Sequence, residues 1–518
     1  MERIHKKSAL AEASPLLLAA HDLGAELAWE RYEQQLPLCA FTSNGLSCRK
    51  CFQGPCRINP FGDEPSRGVC GADRDQIVME SLFQATLEGV LESARTLSLL
   101  GLAGADQELP DLASGLSPET RERLSAAGLL PVRKADLFGV QNSFFSHKGY
   151  LGQTLCDLTR MGLIHFGFLR QAASAFDDGE SAAPDPQGLN LLIVGQAPAA
   201  LRQALEQAGR KAGGKTVNLF SHGGHRLPSV RAAADQGSPE FLLGMKVDAL
   251  LVAPDAAWPS LETLAAKYGI PVILAGGGKS ADQTAAEAVA LASHHAQNAF
   301  YGTAARAIRA APGRNGGALP SAPALTQAFR AGRIQGVAVL FGEPGVKQTF
   351  FERTLALMES ALAEKALVFL GGDLGTEVEA LRAELQKRQT AQLAAFAAAL
   401  EKDGLRPIAS FGSAIEIPRV VSLLNGLAEE GSQMPAVVAF PEFYRASTWA
   451  SAVSLLSLGF TVQIGIRLPF WGSPWLAQVL PAEWQKLTGG TLLAAPALPE
   501  ARAQAEEMAS CLRAGRAR

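Results

Sequence analysis

Five of the chain's seven cysteines fall between positions 39 and 70, and four of them run Cys48-x2-Cys51-x4-Cys56-x13-Cys70. Four thiolates are soft ligands, suited either to tetrahedral zinc or to an iron–sulfur cubane. A structural zinc site usually shows two Cys-x2-4-Cys knuckles. Here three cysteines lie within nine residues and the fourth arrives from a loop, as in cluster-binding sequences. Gly54-Pro55 before Cys56, and Gly68 before Cys70, allow tight turns that point backbone N–H groups at sulfur. Those hydrogen bonds, with solvent access, tune a cluster's potential. The spacing predicts a [4Fe–4S] cluster on Cys48, Cys51, Cys56 and Cys70, with zinc as the alternative. A disulfide framework would spread its pairs more evenly, so the tight grouping favours metal.

The elements that must carry these cysteines are legible in the hydrophobic pattern. Residues 1–175 read as helical, since segments such as QIVMESLFQATLEGVLESARTLSLLGL (76–102) place apolar residues three and four apart without strand alternation. The polar stretch 176–188 reads as a linker. Short apolar runs then alternate with helical stretches: LNLLIVG (189–195), TVNLFS (216–221), VDALLVA (247–253) and PVILAGG (271–277). After a second break at 311–324 come GVAVLFG (336–342), ALVFLGG (366–372), PAVVAFPE (435–442) and FTVQIG (460–465). Alternation of this kind argues for parallel sheets. The predicted fold class is α/β: a helical domain carrying the cysteines (1–188), followed by two similar α/β domains (189–330 and 331–518). The Ala-rich 376–402 is expected as one long helix, and the tail after Ala501 as another.

Composition sets limits on partners. A chain of 518 residues is too long for one core, and a net charge of −3 gives no reason to expect nucleic acid or an anionic membrane. The stretch after Lys6 and Lys7 does not read as a secretory signal, and no apolar window reaches the roughly 18 residues of a membrane span. The expected location is cytoplasmic.

The run RYEQQLPLCAFTSNGLSCRKCFQGPCRINPFGDEPSRGVCGADRDQIV (31–78) resembles the N-terminal cluster region of the anaerobic nickel–iron carbon monoxide dehydrogenases. The resemblance thins beyond this block but continues to about residue 475, with VDALLVAPDAAWPSL (247–261), FGSAIEIPR (411–419) and GFTVQIGIRLPFWGS (459–473) as landmarks. It implies a [4Fe–4S] relay cluster on the four matching cysteines, a homodimer, and a helical domain followed by two Rossmann-like ones. It also implies a further cluster on the dimer axis, held by two cysteines per subunit. Cys39 matches one of these; Ser47 stands at the other, so a bridging [4Fe–4S] cluster is not expected.

The larger departure concerns the nickel–iron–sulfur cluster, which in the resembled family needs a histidine and several cysteines at strand ends. Between Cys156 and Cys511 the chain has no cysteine. The histidine position falls at Val194 or Gln196, and the cysteine positions near Ser221 and at Ala256, Glu343, Gly372 and Ala414. The lysine that assists CO chemistry falls at Ser447, and no histidine lies between positions 22 and 146. No nickel–iron–sulfur cluster is therefore expected, nor CO oxidation.

Strand ends of open α/β sheets are where ligands bind. His222, His225, Asp255, Glu343 and Glu416 lie at or beside the lost positions, and two histidines with a carboxylate can hold iron, zinc or manganese. Solvated loop residues are the plainer account of the same side chains. Two readings follow: an electron-transfer or regulatory subunit that pairs with itself or with a family member and serves a redox partner protein, and an oxidoreductase with a second metal or small substrate in a remodelled cavity. GGGKS (276–280) reads as a helix start rather than a phosphate loop. His294 and His295 read as a solvated surface, and Cys156, His147 and His165 as core or boundary residues. Arg467 and Trp471 are candidates to face the cavity.

Overall fold

The structure is a computed structural model that describes residues 7–99, 109, 112, 116–146, 151–174, 185, 187–195, 199–221, 231–232, 246–253, 256, 259–276, 278–298, 319–388, 390–494 and 500–514. His147, His222, His225, Asp255 and most of the expected linker lie outside these residues. Among the described residues no helix is long and apolar enough to cross a membrane.

The N-terminal part is helical apart from a two-residue ladder, β1 (Ser47–Cys48) against β2 (Cys56–Arg57). Its main helices are α1 (Arg74–Leu99) and α2 (Leu151–Ser174). A reciprocal cap starts α1: Gln76 N–H donates to Asp73 Oδ1 at 3.0 Å, and Asp73 N–H donates to Gln76 Oε1 at 3.1 Å. Ile77, Val78, Leu82, Phe83, Val90 and Leu97 then recur on its buried face.

Two parallel sheets follow. The first contains β3 (Leu189–Val194), β4 (Val217–Ser221), β5 (Arg231–Ala232), β6 (Ala249–Val252) and β7 (Val272–Leu274), in the order β5-β4-β3-β6-β7. The second contains β8 (Gly336–Gly342), β9 (Ala366–Gly372), β10 (Ile408–Gly412), β11 (Ala436–Phe440), β12 (Thr461–Ile464) and β13 (Thr491–Ala494), in the order β10-β9-β8-β11-β12-β13. Every residue of β8 and β9 is buried, as expected when helices cover both faces of a parallel sheet. Strand order reverses between β3 and β6 and again between β8 and β11, so each sheet has a crevice at its carboxyl ends.

Three helices of the second sheet matter for the site: α3 (Glu352–Ala363), α4 (Ala446–Ser457) and α5 (Ala501–Ala514). Helix α4 packs on β12 of its own sheet and against both α1 and α2, completing the helical lobe. Glycines permit this approach. A Cβ on Gly89 of α1 would stand 2.2 Å from the Ala446 carbonyl oxygen, and one on Gly162 of α2 would stand 2.8 Å from the Val453 carbonyl oxygen. Polar contacts fix the register: Trp449 Nε1 donates to Thr86 Oγ1 at 2.8 Å, and Ser454 Oγ donates to the Gly162 carbonyl at 2.8 Å. His165 sits buried among the three helices, with Nδ1 3.0 Å from Ser93 Oγ and Nε2 3.1 Å from Ser451 Oγ. Burial drops its pKa to about 4, so it is a neutral core residue.

Several expectations change. In the 376–402 stretch, where one long helix was expected, the described residues are helical over Val378–Arg388 and Thr390–Leu400, Gln389 lies outside the described residues, and the stretch ends in the 3-10 turn Glu401–Asp403. Strands β5, β10 and β13, all at sheet edges, are additional to those expected. His295 is buried rather than solvated, with Nδ1 3.8 Å from Asp248 Oδ1, whereas His294 is exposed. The Gly-rich 276–280 segment does lead into a helix. There Ser280 N–H donates to Gln283 Oε1 at 2.9 Å and Gln283 N–H donates to Ser280 Oγ at 3.2 Å.

Gly89→Ala forces a methyl group against the Ala446 backbone and is expected to lower stability by about 1–3 kcal/mol. Gly139→Ala, where a Cβ meets nothing within 4 Å, is the control. Urea unfolding of the two variants with equal midpoints would refute the tight α1–α4 contact.

Candidate functional site

The β1–β2 ladder sets Cys48 directly opposite Cys56, which places the two side chains on one face. Between them the chain turns through Cys51, whose carbonyl accepts Gly54 N–H at 3.3 Å. A Cβ on Gly54 would lie 2.9 Å from Cys56 N and 3.3 Å from the Cys48 carbonyl oxygen, so this turn needs its glycine. Cys70 rides on a second turn, closed by Gly68 N–H to the Ala72 carbonyl at 2.8 Å and Gly71 N–H to the Gly68 carbonyl at 2.8 Å. Gly71 holds φ at +89°.

Both turns aim backbone donors at sulfur. Lys50 N–H points to Cys48 Sγ at 3.4 Å, and Val69 N–H points to Cys56 Sγ at 3.4 Å. Cys48 and Cys56 are half-buried, while Cys51 and Cys70 are exposed. Burial pushes the Cys48 thiol up, and the neighbouring Glu80, Cys56 and Cys70 charges add to the rise. None of the seven cysteines is paired in a disulfide. Among the described residues no three His, Cys, Asp or Glu side chains converge at the spacing of a single-ion site.

The cysteine turns rest on a strap from the second sheet. A Cβ on Gly45, which holds φ at +73°, would lie 2.1 Å from the Pro469 carbonyl oxygen. Gly472 N–H donates to the Asn44 carbonyl at 3.0 Å, Arg467 donates to Asn44 Oδ1, and Ser473 Oγ donates to Asp75 Oδ1. Arg467 therefore serves the cysteine lobe. Trp471 packs on Phe470 with ring centroids 4.7 Å apart.

Cys39 immediately precedes the short helix Ala40–Ser43 and is exposed. The Thr42 hydroxyl donates to its sulfur at 3.5 Å, which lowers the thiol's pKa. The same hydroxyl lies 3.1 Å from Ser47 Oγ. Positions 39 and 47 are thus neighbours in space.

At the carboxyl end of the second sheet the chain buries a ring of acids. Glu343 follows β8, Asp373 and Glu377 follow β9, Glu416 follows β10 and Glu442 follows β11, all at most 3 % exposed. Glu343 and Glu442 flank the crevice where strand order reverses, and Glu343 N–H donates to the Glu442 carbonyl at 3.1 Å. Their carboxylates take different partners. Glu343 Oε1 accepts from the Thr448 hydroxyl and lies 3.8 Å from the Arg445 guanidinium. Glu416 folds back on its own loop: Oε2 accepts Ser413 N–H at 2.8 Å, and Oε1 accepts from Arg419 at 3.3 Å. A Cβ on Gly412 would lie 1.9 Å from Glu416 Oε2. Glu343 and Glu416 are therefore not brought to one point. The matched positions Gly372, Ala414 and Ser447 lie at the end of β9, in the turn Ala414–Glu416 and at the start of α4.

Glu442 was not among the sequence candidates, although an acid closing the apolar run PAVVAFPE was a readable signal. Its Oε2 accepts Gly345 N–H at 3.2 Å, and its Oε1 is buried without a hydrogen-bond partner. Arg353 of α3, itself bonded to Gln348 Oε1 at 3.1 Å and to Gln504 Oε1 of α5 at 3.0 Å, supplies nearby positive charge. Burial outweighs this help and pushes the Glu442 carboxyl up to about 8.

A cysteine-bearing helical lobe joined to two parallel Rossmann-like sheets defines the class. The Prismane/CO dehydrogenase family model matches residues 46–100 and 240–498, more than half of the chain. The chain belongs to that family.

A carbon monoxide dehydrogenase of Archaeoglobus fulgidus is 23 % identical over 571 aligned positions, covering 89 % of this chain and 90 % of that one. The carbon monoxide dehydrogenase of Rhodospirillum rubrum is 52 % identical over 77 residues, 15 % of this chain and 12 % of that protein. Carbon monoxide dehydrogenase 1 of Methanosarcina acetivorans is 38 % identical over 152 residues, 26 % of this chain and 24 % of that protein. The matches to the latter two thus span a quarter or less of each relative's length. Among solved structures, carbon monoxide dehydrogenase IV from Carboxydothermus hydrogenoformans superposes with a TM-score of 0.75 at 19 % identity, covering 98 % of this chain and 99 % of that one. A nickel-free carbon monoxide dehydrogenase from Thermococcus sp. AM4 gives the same TM-score and identity, covering 99 % and 97 %. At such identities the likeness is one of fold.

The folded Glu442 carboxyl keeps its proton up to about 8, against an ordinary value of 4.5. Between those values the unfolded chain binds fewer protons. Glu442 thus leaves stability fullest below about pH 4.5, erodes it as pH rises toward 8, and adds no further loss above that. The isosteric Glu442→Gln variant should gain on the wild type between about pH 5 and pH 8, by an amount on the order of a few kcal/mol. A stability difference between the two that stays flat across that range would contradict the assignment.

Proposed function

We propose that the chain is an iron–sulfur electron-transfer protein that does not oxidise CO. Its centre is a [4Fe–4S] cluster on Cys48, Cys51, Cys56 and Cys70. The observation that carries this reading is the cysteine hairpin. Cys48 and Cys56 are paired across β1 and β2, each sulfur takes a backbone N–H, and Cys51 and Cys70 stand on the adjoining turns. Four sulfur donors on glycine-shaped turns fit a cubane. When bound, such a cluster accepts and releases single electrons. The chain's own part is to present four sulfurs, bias their charge through the Lys50 and Val69 amides, and partly shield Cys48 and Cys56 from water.

The strand ends do not fit a nickel–iron–sulfur cluster. No cysteine lies between Cys156 and Cys511. At the matched position Glu343, the carboxylate is engaged by Thr448 and Arg445. Glu416 caps its own loop, and no step of a CO reaction is assigned to these residues. A pair of chains, with a redox partner protein accepting the electron, belongs to the same proposal.

Anaerobically purified wild type is expected to carry iron and acid-labile sulfide in equal amounts, both lost with the visible absorbance in Cys56→Ser. It should not reduce an artificial acceptor with CO, even after nickel is supplied. Unchanged iron and colour in Cys56→Ser would overturn the ligand set, and CO-dependent turnover would overturn the functional reading.

A further inference from the structure

We infer that the Lys50–Glu80 ion pair sets the reduction potential of the cluster by compensating charge beside Cys48; this rests on the cluster reading above. Three contacts meet at that sulfur. Glu80, in the second turn of α1, holds Oε2 3.9 Å from Cys48 Sγ. Its other oxygen accepts Lys50 Nζ at 2.7 Å. Lys50 also gives its backbone N–H to Cys48 Sγ at 3.4 Å. One residue thus supplies both an amide donor to the sulfur and the counter-ion of the carboxylate beside it. Lys50 lies between the ligands Cys48 and Cys51, so its ammonium is tied to the cluster loop. Glu80 is tied to a helix whose start is capped and whose apolar face is buried.

The electrostatics follow from these distances. Reduction adds negative charge at the sulfurs. A carboxylate this close opposes that charge, and the ammonium on its far oxygen offsets the opposition. Both side chains are largely shielded, at 17 % and 16 % exposure, so water screens them less than it screens surface charges. Potentials of such centres respond to net charge and to hydrogen bonds at sulfur. As a stabilising contact alone, a partly exposed pair of this kind contributes little. Its position against a ligating sulfur gives it a larger effect on the electron.

The test is a redox titration of the anaerobically purified full chain, followed by electron paramagnetic resonance, with iron and sulfide counted in each sample. Glu80→Gln should move the midpoint potential to more positive values, and Lys50→Met to more negative values. The double variant should return close to the wild type, and Lys50→Arg should stay there. Variants that load the cubane yet keep the wild-type midpoint, or that shift in the same direction, overturn the inference while leaving the cluster intact. A wild type with no cubane overturns the cluster reading and this inference together.

Discussion

The close approach of α4 to α1 and α2 is the contact on which the rest of the molecule depends. Gly89 and Gly162 let backbone meet backbone where any larger residue would hold the helices apart. Their removal of side-chain volume costs some helix propensity, offset by dispersion contacts and by the buried bonds of Trp449, Ser454 and His165. Because α4 begins just beyond β11, this packing joins the helical lobe to the carboxyl edge of the second sheet. The cysteine hairpin is then clamped from the same side by the 467–473 strap through Asn44 and Asp75.

The two regions joined in this way handle charge in opposite manners. Around the cysteines, carboxylate and ammonium remain partly wet and paired, as Glu80 and Lys50 are. At the strand ends the acids are buried and resolved one by one. Glu416 is bonded by its own loop and by Arg419, Glu343 takes Thr448 and Arg445 on Oε1, and Glu442 keeps its proton. A buried carboxylate with no ion to neutralise it must be paired, bonded or protonated, and these three residues show the three outcomes.

Much of this was legible in the sequence. Eight strands were readable because parallel strands covered on both faces are continuous apolar runs. The cysteine spacing marked the turns that aim Lys50 and Val69 amides at sulfur. Edge strands β5, β10 and β13 were not readable: β5 is two residues long, β10 mixes Ala409, Ser410 and Gly412 into its run, and β13 is half-exposed. His295 was misread as solvated because its partner, Asp248, lies far off in sequence. Candidate acids were picked for their places in the chain, and only packing reveals that Glu343 and Glu442 take different partners or that Glu416 serves its own helix start. The Lys50–Glu80 pair was equally hidden, since nothing local links a residue in the cysteine loop to one on α1.

Spin quantification of the reduced, anaerobically purified chain, with nickel and zinc measured on the same sample, bears most directly on whether one four-iron centre is its whole redox equipment. One cubane spin per chain, with neither metal present in stoichiometric amount, is the predicted result. Zinc without a reducible spin, or a second spin-coupled centre that disappears in Glu343→Ala, would contradict it.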